Sequence, residues 1–357
     1  MLRLLLWKLS RFFDSGVPRG LVPWVGFGAK PRDVLFARRM FLLKNFLRFL
    51  SILLILTALS VPSAHAAEGF RVGTWKTAQT IAPFFYQDYL PGGAEVLSFT
   101  NPADQKTALL AGSLEMCGTT LAHAIHSASQ GQPVVLVTAL CNKCSALVVA
   151  KDGPVKSVAD LKGKKIGYVP GTMHEILLRE ALTRSGLSPD ADVELMRVDF
   201  FDMGTALSRG SIDAFLSGEP FPTLAVREGY GRILAYPYYE DSVGTINAGM
   251  LTTRENIEKH PERVLELVRA HVQATLFLQK NPGAWLDKAV LFGTERAILD
   301  LAAENIELAW LIDESFVERA KALGARMEAL KVIDRQPDYD QLFDLSFVKK
   351  VKEELGL

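Results

Sequence analysis

The chain has 357 residues, of which 49% are hydrophobic and 22% are charged, proportions that are typical of packed globular proteins and exclude a disordered chain. Lys and Arg balance Asp and Glu at 40 each, but residues 1–66 hold ten basic and two acidic residues, so residues 67–357 carry eight more acidic than basic residues. Since basic clusters are missing from this acidic part, we expect no nucleic acid and no anionic lipid surface as a partner.

A secretory signal is predicted near the N-terminus. Lys44 and Arg48 precede an apolar run over residues 49–61, which is too short to span a bilayer comfortably, and the small-residue motif AHA follows it. We expect export to the periplasm with cleavage near Ala66 and Ala67. No cysteine follows that site, so we expect a mature protein without a lipid anchor.

The residues before this signal differ from an ordinary signal start. Residues 1–39 contain eight basic residues and three prolines, whereas the charged segment of a secretory signal is short. Met40 is therefore the expected true start, and we assign residues 1–66 to an N-terminal extension plus a cleavable signal, without a fold.

Three cysteines lie in the predicted mature part, at Cys117, Cys141 and Cys144. In an oxidising compartment they allow one disulfide and one remaining thiol, but the pairing cannot be read from the sequence. The CNKC spacing is typical of redox and metal sites, yet a single pair is short of the four ligands that zinc normally takes. We expect a local disulfide or simple packing.

Strand-like and helix-like runs alternate through the first half of the mature chain. In order they are FRVGTW, the helix-like TAQTIAPFFYQDYL, AEVLSF, the helix-like NPADQKTALLAG, LEMCGTT, the helix-like LAHAIHSASQ, PVVLVTAL and SALVVAKD. A second α/β series runs from SVADLKGKKIGYV to SIDAFLSGEPF, and the chain after AGMLTT is mostly helical, with one long helix in HPERVLELVRAHVQATLFLQKNP. This order predicts two α/β units with mostly parallel sheets and crossover helices.

The stretch YVPGTMHEILLREAL, residues 168–182, reads as a strand end, a tight turn and a helix start. Thr172 and Glu175 fit a capping box, in which a hydroxyl and a carboxylate satisfy backbone N–H groups. The alternative is that these free N–H groups and the Thr172 hydroxyl bind an anionic or polar ligand, although Glu175 competes for the donors.

Several motifs together resemble one family. They are PVVLVTAL with the following SALVVAKDGPVKSVADLKGKKIGYVPGTMHEILLREALTRSGL, then DMGTALSRGSIDAFLSGEPF, ENIEKHPERVLELVRAHVQATLFLQKNPGAWL and PDYDQLFDLSFVKKV. Their order and spacing over residues 67–357 are similar to the taurine-, alkanesulfonate- and nitrate-binding proteins of ABC importers, a superfamily that includes binders of thiamine pyrimidine precursors.

The resemblance implies an α/β, two-lobed periplasmic binding protein fold of type II. Each lobe would be a mostly parallel sheet flanked by helices, with lobe 1 formed by residues 67–142 plus 248–357 and lobe 2 by residues 143–247. Two hinge crossovers would allow the lobes to close on a small-molecule solute. The implied partners are that solute and an inner-membrane ABC permease with its ATPase; we expect a monomer, no cofactor and no enzyme activity.

The resemblance also implies which residues line the cleft between the lobes. Carried over by position, the predicted ligand-binding residues are Trp75, Gln79, Thr119, Thr120, Gly171, Thr172, His174 and Glu219. The implied ligand is a small organic anion such as a sulfonate, bound by short hydroxyl and backbone donors.

Other features of the sequence leave alternatives open. The CNKC pair departs from the sulfonate binders, and Trp75, with Phe84, Tyr86 and Tyr89, offers a stacking surface, so a thiamine pyrimidine precursor or another flat N-heterocycle is the alternative ligand. A related pyrimidine synthase-type enzyme, with Cys144 and His174 as nucleophile and base, is the rival class.

Two histidines at helical spacing were the only other metal candidate. His123 and His126 lie three residues apart on a predicted helix, but two imidazoles without nearby carboxylates make an incomplete site. We therefore expect no metal.

Overall fold

The computed structural model describes residues 69–239 and 244–357. Ala67–Leu357 forms one compact unit. The predictions for residues 1–66, namely the extension, the start at Met40 and the cleaved signal, lie outside the described residues. In the described part of the chain, no helix combines the length and the apolar character that a membrane crossing requires.

Among residues 69–239 and 244–357, ten strands form two five-stranded sheets. The strands are β1 Phe70–Thr74, β2 Ala94–Ser98, β3 Met116–Thr120, β4 Val134–Cys141, β5 Ser145–Ala150, β6 Lys165–Tyr168, β7 Glu194–Arg197, β8 Ala214–Gly218, β9 Gly231–Ala235 and β10 Ala248–Thr253. The first sheet has the order β2-β1-β3-β10-β4, and the second has the order β7-β6-β8-β5-β9. The central strands β3, β8 and β10 and the edge strand β4 are buried along their length, as expected for sheets covered by helices on both faces.

Each sheet has four strands in one direction and one reversed strand. In the first sheet β1 runs parallel to β2 and β3, while β10 runs antiparallel to β3 and β4. In the second sheet β6 runs parallel to β7 and β8, while β5 runs antiparallel to β8 and β9. The prediction of two mostly parallel sheets is confirmed.

The reversed strands follow the two segments by which the chain passes between the sheets. Residues 142–144, the first crossover, join β4 to β5, and residues 236–247, the second crossover, join β9 to β10. The parallel strands therefore end, and the reversed strands begin, at the edges where the two sheets meet. The lobe boundaries proposed from the sequence fall within or beside these two crossovers.

Twelve α-helices within the described residues cover the sheets. They are α1 Pro102–Leu110, α2 Leu121–Ser129, α3 Met173–Arg184, α4 Met203–Ser208, α5 Phe221–Arg227, α6 Arg254–Lys259, α7 Pro261–Lys280, α8 Pro282–Val290, α9 Arg296–Ala302, α10 Glu314–Ala329, α11 Tyr339–Leu342 and α12 Ser346–Leu355. The long helix predicted from the sequence is α7, which starts with proline at its first position and buries one apolar face.

The first predicted helix, TAQTIAPFFYQDYL, is wrong in type. Its residues form two 3-10 helices, Ala78–Thr80 and Ala82–Asp88. Pro83 lacks the N–H group that an α-helix running through this segment would need, and the β-branched Thr80 and Ile81 precede it. The segment is nevertheless anchored in the core, because Tyr86 is fully buried and Phe84 packs on Phe292 with ring centroids 4.8 Å apart.

A buried hydrogen-bonded histidine fastens this segment to helix α7. The Nε2 atom of His271 lies 2.7 Å from the carbonyl oxygen of Ala139, so it carries the proton and donates. Burial lowers the pKa of His271 to about 4, so the ring is neutral and its Nδ1 accepts from the Tyr86 hydroxyl at 2.8 Å. Strand β4, helix α7 and the Tyr86 segment are thereby joined.

Replacing Tyr86 with phenylalanine should destabilise the protein by about 1–3 kcal/mol, because it leaves the buried Nδ1 of His271 without a donor while keeping the ring volume. Urea unfolding of the two proteins at pH 7 measures this difference. The matched control is Tyr89→Phe at the partly buried neighbouring tyrosine, which should change the unfolding free energy by less than about 0.5 kcal/mol. Equal effects of the two substitutions would contradict the assignment.

Candidate ligand-binding site

A cavity of about 40 Å³, room for roughly three water molecules, lies where the two sheets meet. Its walls come from both sheets and both crossovers. The lining residues are Trp75, Thr77, Gln79, Thr80, Thr120, Cys141, Cys144, His174, Phe200, Phe201, Ser217, Gly218, Phe221, Asn247 and Ala248. Most of them lie at the end of a strand of the parallel set, in the loop after such a strand, or beside the start of a reversed strand, which is where ligands bind in open α/β sheets.

The loop after β1 places Trp75 and Gln79 in the cavity wall. The Thr74 hydroxyl donates to the Thr80 carbonyl at 2.9 Å, and the Thr80 hydroxyl donates to the Trp75 carbonyl at 2.9 Å. These bonds fix the loop backbone and leave the indole Nε1 of Trp75 and the amide Oε1 of Gln79 buried without a hydrogen-bond partner in the described residues.

The two threonines that end β3 have different environments. Thr120 lines the cavity, but its hydroxyl accepts from the His123 N–H at 3.3 Å and so caps helix α2. Thr119 is buried outside the lining, and its hydroxyl has no partner among the described residues. Only Thr120 of this predicted pair lines the cavity.

The end of β8 supplies the opposite wall. Ser217 lines the cavity with a buried hydroxyl that has no partner in the part of the chain the structure describes. A Cβ added to Gly218 would lie 3.0 Å from Gln79 Nε2, 3.3 Å from His174 Cε1 and 3.5 Å from Cys144 Sγ. Gly218 therefore lets side chains from three segments converge on one point.

A polar network ties His174 to both crossovers. The Tyr238 hydroxyl accepts from the Cys144 and Ser145 N–H groups at 2.9 and 3.1 Å and from the Asn247 amide at 2.7 Å. The Tyr238 hydroxyl donates to Ser145 Oγ at 2.7 Å, and the Ser145 hydroxyl donates to His174 Nδ1 at 2.9 Å. Burial lowers the pKa of His174 to about 4, so the ring presents a neutral N–H donor at Nε2.

The predicted capping box at the start of α3 is wrong for Thr172. The Thr172 hydroxyl donates to the Val169 carbonyl at 2.7 Å and caps no helix N–H. Glu175 does reach back, but to the Gly171 N–H at 2.7 Å, and it also pairs with Arg179 at 2.8 Å. The turn, with Gly171 at φ 73°, brings that N–H within reach of the carboxylate, so two of the donors expected for a ligand, the Gly171 N–H and the Thr172 hydroxyl, are already used.

Gly171 and Thr172 accordingly do not line the cavity, and neither does Glu219. The Glu219 carboxylate accepts from the Thr223 N–H at 3.2 Å and from the Asn305 amide at 3.3 Å. Asn305 follows helix α9 in the chain after β10, so this contact links the second sheet to the C-terminal helices. Burial raises the pKa of Glu219 to about 7.

The sequence interpretation therefore placed Trp75, Gln79, Thr120 and His174 at the cavity and missed several other lining residues. The missed ones are Thr77, Thr80, Phe200, Phe201, Ser217, Gly218, Phe221, Asn247 and Ala248, and the lining also includes Cys141 and Cys144, which were not among the predicted ligand-binding residues. Reading every residue next to a predicted strand end would have found Ser217, Phe221 and Asn247, because strand ends share one edge of each sheet.

The cavity is neutral and partly aromatic. None of its lining residues is Asp, Glu, Lys or Arg, and His174 is uncharged at neutral pH. Phe84, Tyr86 and Tyr89, the other aromatic candidates, pack in or against the core instead. Among residues 69–239 and 244–357 no three His, Cys, Asp or Glu side chains are grouped closely enough to hold a metal ion.

Comparison with known proteins places the chain in a family. The family model described as NMT1/THI5 like matches residues 94–284, more than half of the chain. The chain belongs to the NMT1/THI5-like family. The resemblance recognised from the sequence is confirmed at this level.

Two relatives of the chain carry different names. A Brucella abortus (strain 2308) protein named as a binding protein is 30% identical over 218 residues, which cover 59% of this chain and 66% of that protein. The 4-amino-5-hydroxymethyl-2-methylpyrimidine phosphate synthase of Schizosaccharomyces pombe is 27% identical over 199 residues, 52% of this chain and 57% of that protein. The matches thus span less than two thirds of either relative.

A solved structure supports the fold. The alkanesulfonate-binding protein SsuA from Xanthomonas axonopodis pv. citri, bound to MOPS, superposes with a TM-score of 0.71 at 18% identity, over 79% of this chain and 100% of that chain. At this identity the likeness shows the fold alone. The predicted two-lobed periplasmic binding protein fold is confirmed.

Glu219→Gln should remove a pH dependence of stability. The folded-state pKa of about 7 lies above the ordinary 4.5, so the protonated carboxyl is favoured in the folded protein and this contribution is lost as pH rises from 4.5 through 7. The variant should gain up to about 3 kcal/mol relative to wild type between pH 5 and pH 8, measured by urea unfolding at both values.

The buried histidines contribute the same pH dependence of stability to wild type and to Glu219→Gln. Burial lowers the pKa of His123, His174 and His271 to about 4, which destabilises the fold as pH falls below 6.5, and this term cancels in the difference. Glu194→Gln, at an exposed carboxylate on β7, is the control and should leave the pH profile unchanged. A Glu219→Gln profile parallel to wild type would refute the shifted carboxyl.

Proposed function

We propose that this protein is the solute-binding component of an ABC-type importer, acting as a monomer in the periplasm and delivering a small molecule to an inner-membrane permease with its ATPase. The observation that carries the proposal is a set of buried, unpartnered polar atoms around one cavity between two sheets. They are Trp75 Nε1, Gln79 Oε1 and Ser217 Oγ. The family, the fold and the predicted signal support the same conclusion.

Unpaired buried groups are costly without a ligand. Each such atom destabilises the folded protein by about 1–3 kcal/mol when it lacks a hydrogen bond. A solute that accepts from Trp75 and donates to Gln79 recovers these hydrogen bonds and joins the two walls, since Ser217 and His174 lie on the other sheet. Closure of the sheets on the solute follows from that bridging.

The cavity chemistry favours a small, flat, uncharged N-heterocycle over the sulfonate expected first. The lining holds no cation, and two of the groups predicted to bind an oxyanion, the Gly171 N–H and the Thr172 hydroxyl, are used by Glu175 and Val169. Trp75, Phe200 and Phe221 offer aromatic surfaces for a ring. The Schizosaccharomyces pombe relative is named for a pyrimidine product, which agrees with this ligand class.

We further propose binding without chemical conversion. Cys144 Sγ lies 3.9 Å from Ser145 Oγ, and Ser145 stands between this thiol and His174. The Cys144 and His174 pair suggested by the sequence therefore has no direct nucleophile–base contact in the described structure. Bound solute recovered by denaturation should have the mass of the solute that was added.

The proposal is tested by a thermal screen of pyrimidines, other flat N-heterocycles, taurine, alkanesulfonates and nitrate. A cognate solute at a hundredfold excess over its Kd should stabilise folding by about 2.7 kcal/mol, which raises Tm by several degrees for a protein of this size. Heterocycle hits would support the proposed ligand class. Hits restricted to sulfonates or nitrate would overturn that class but keep solute binding, and a screen without any hit would contradict the site.

Trp75→Phe and Ser217→Ala should each weaken binding of the hit about tenfold, the equivalent of one hydrogen bond near 1.4 kcal/mol. Both variants should leave the unliganded protein as stable as wild type or more stable, because each removes an unpaired buried polar atom. Calorimetric titration and urea unfolding measure the two quantities. Trp310→Phe, in a different pocket, is the tryptophan control and should not change affinity; parallel losses of stability and affinity would indicate a purely structural role.

A further inference from the structure

Two thiols line the same cavity on either side of the first crossover. Cys141 is the last residue of β4, and Cys144 directly precedes β5. Both contribute to the cavity wall, with 1% and 2% of their surfaces exposed. The polar network described above does not use either sulfur atom, so the solute site leaves this pair unexplained.

The two cysteines are neighbours across the first crossover. Both are reduced, and the adjacent Cys144 thiol, together with burial, raises the pKa of Cys141. The backbone of Cys144 is fixed, since its N–H donates to Tyr238 at 2.9 Å and its carbonyl accepts from the Glu219 N–H at 2.7 Å. Only the short 142–143 segment separates the pair.

The third cysteine has different surroundings. Cys117 lies within β3, paired with Gly73 of β1 and Leu251 of β10, and is buried without lining the cavity. Burial raises the pKa of its thiol. It therefore serves as an internal reference for a cysteine that only packs.

We propose that Cys141 and Cys144 form an oxidisable dithiol in the cavity wall, a modification site that the disulfide of a thiol oxidant converts to an intramolecular disulfide. The reaction stands on the geometry of the pair and is independent of which solute the cavity binds. It assigns a chemical role to the CNKC motif, for which the sequence left local disulfide and packing as open alternatives.

The exchange is balanced with a disulfide oxidant. Cys144 loses its proton and attacks one sulfur of the oxidant, whose S–S bond breaks and releases one thiol after protonation. Cys141 then loses its proton, attacks the Cys144 sulfur of the mixed disulfide and releases the second thiol. Two protons and two electrons pass from the cysteines to the oxidant.

The product closes a covalent ring over the first crossover at the cavity wall. Two thiols that line the cavity become a disulfide without S–H groups, and the segment between the sheets loses freedom. Because both side chains are almost fully buried, the oxidant must wait for the cavity to open. We therefore expect slow oxidation of the folded protein, over minutes to hours.

Tryptic mapping after treatment with oxidised glutathione tests the proposal. Lys143 lies between the two cysteines, so trypsin separates peptide 107–143 from peptide 144–151 unless a disulfide joins them. Since Cys117 shares peptide 107–143, the experiment uses the Cys117→Ala variant of the full protein. The expected result is a linked peptide pair, a mass loss of about 2 Da and the disappearance of both free thiols.

A matched variant separates the two steps. Cys141→Ser in the Cys117→Ala background should retain glutathione on Cys144 as a stable mixed disulfide, because the second thiol is missing. If Cys117→Ala fails to fold, wild-type protein is digested and the linkage is located by fragmentation of the joined peptides. Free alkylated thiols at both positions, a persistent mixed disulfide with both cysteines present, or a link through Cys117 would each overturn the proposal.

Discussion

The hydroxyl group of Tyr238 holds together the two segments by which the chain passes between its sheets. It lies in the second crossover and accepts hydrogen bonds from the backbone of Cys144 and Ser145, at the first crossover and the start of β5. Asn247, at the end of the second crossover, donates to the same oxygen. Burial raises the pKa of Tyr238, so the hydroxyl stays protonated and donates a hydrogen bond to Ser145 Oγ. The position of His174, and with it one wall of the cavity, depends on this single oxygen.

The architecture could be predicted from the sequence because alternation of strand-like and helix-like runs is a local pattern. Trp75 and Gln79 could be predicted at the cavity because they lie in the loop that follows the first strand. Tyr238 escaped prediction because its importance arises from contacts with Cys144 and Ser145, 94 and 93 residues earlier in the chain, which no local pattern carries. Thr172 was misjudged for a different reason. A hydroxyl at a helix start can accept a hydrogen bond from a helix N–H or donate one to a preceding carbonyl. In this turn the Thr172 hydroxyl donates to the Val169 carbonyl.

The cavity wall combines a backbone fixed by hydrogen bonds with side-chain atoms that lack hydrogen-bond partners in the described residues. Its backbone is secured by many hydroxyl bonds, including those of Thr74 and Thr80, while side-chain atoms of Trp75, Gln79 and Ser217 are left unsatisfied at its wall. The loop after β1 therefore keeps its shape without a ligand, and the unsatisfied atoms gain hydrogen bonds only when a ligand arrives. The few unpaired atoms lower the stability of the folded protein, while the surrounding core of the fold is well packed.

The position of β10 has a consequence for the order in which the protein is made. The second sheet consists only of residues 145–235, so its strands leave the ribosome as one uninterrupted set, whereas the first sheet has a gap between β3 and β4 that β10 fills. Ala248 pairs with Thr120 and with Cys141, partners synthesised more than a hundred residues earlier. During translation, the edges of β3 and β4 that later pair with β10 therefore remain unpaired and open to incorrect pairing until the second sheet, residues 145–235, has been synthesised.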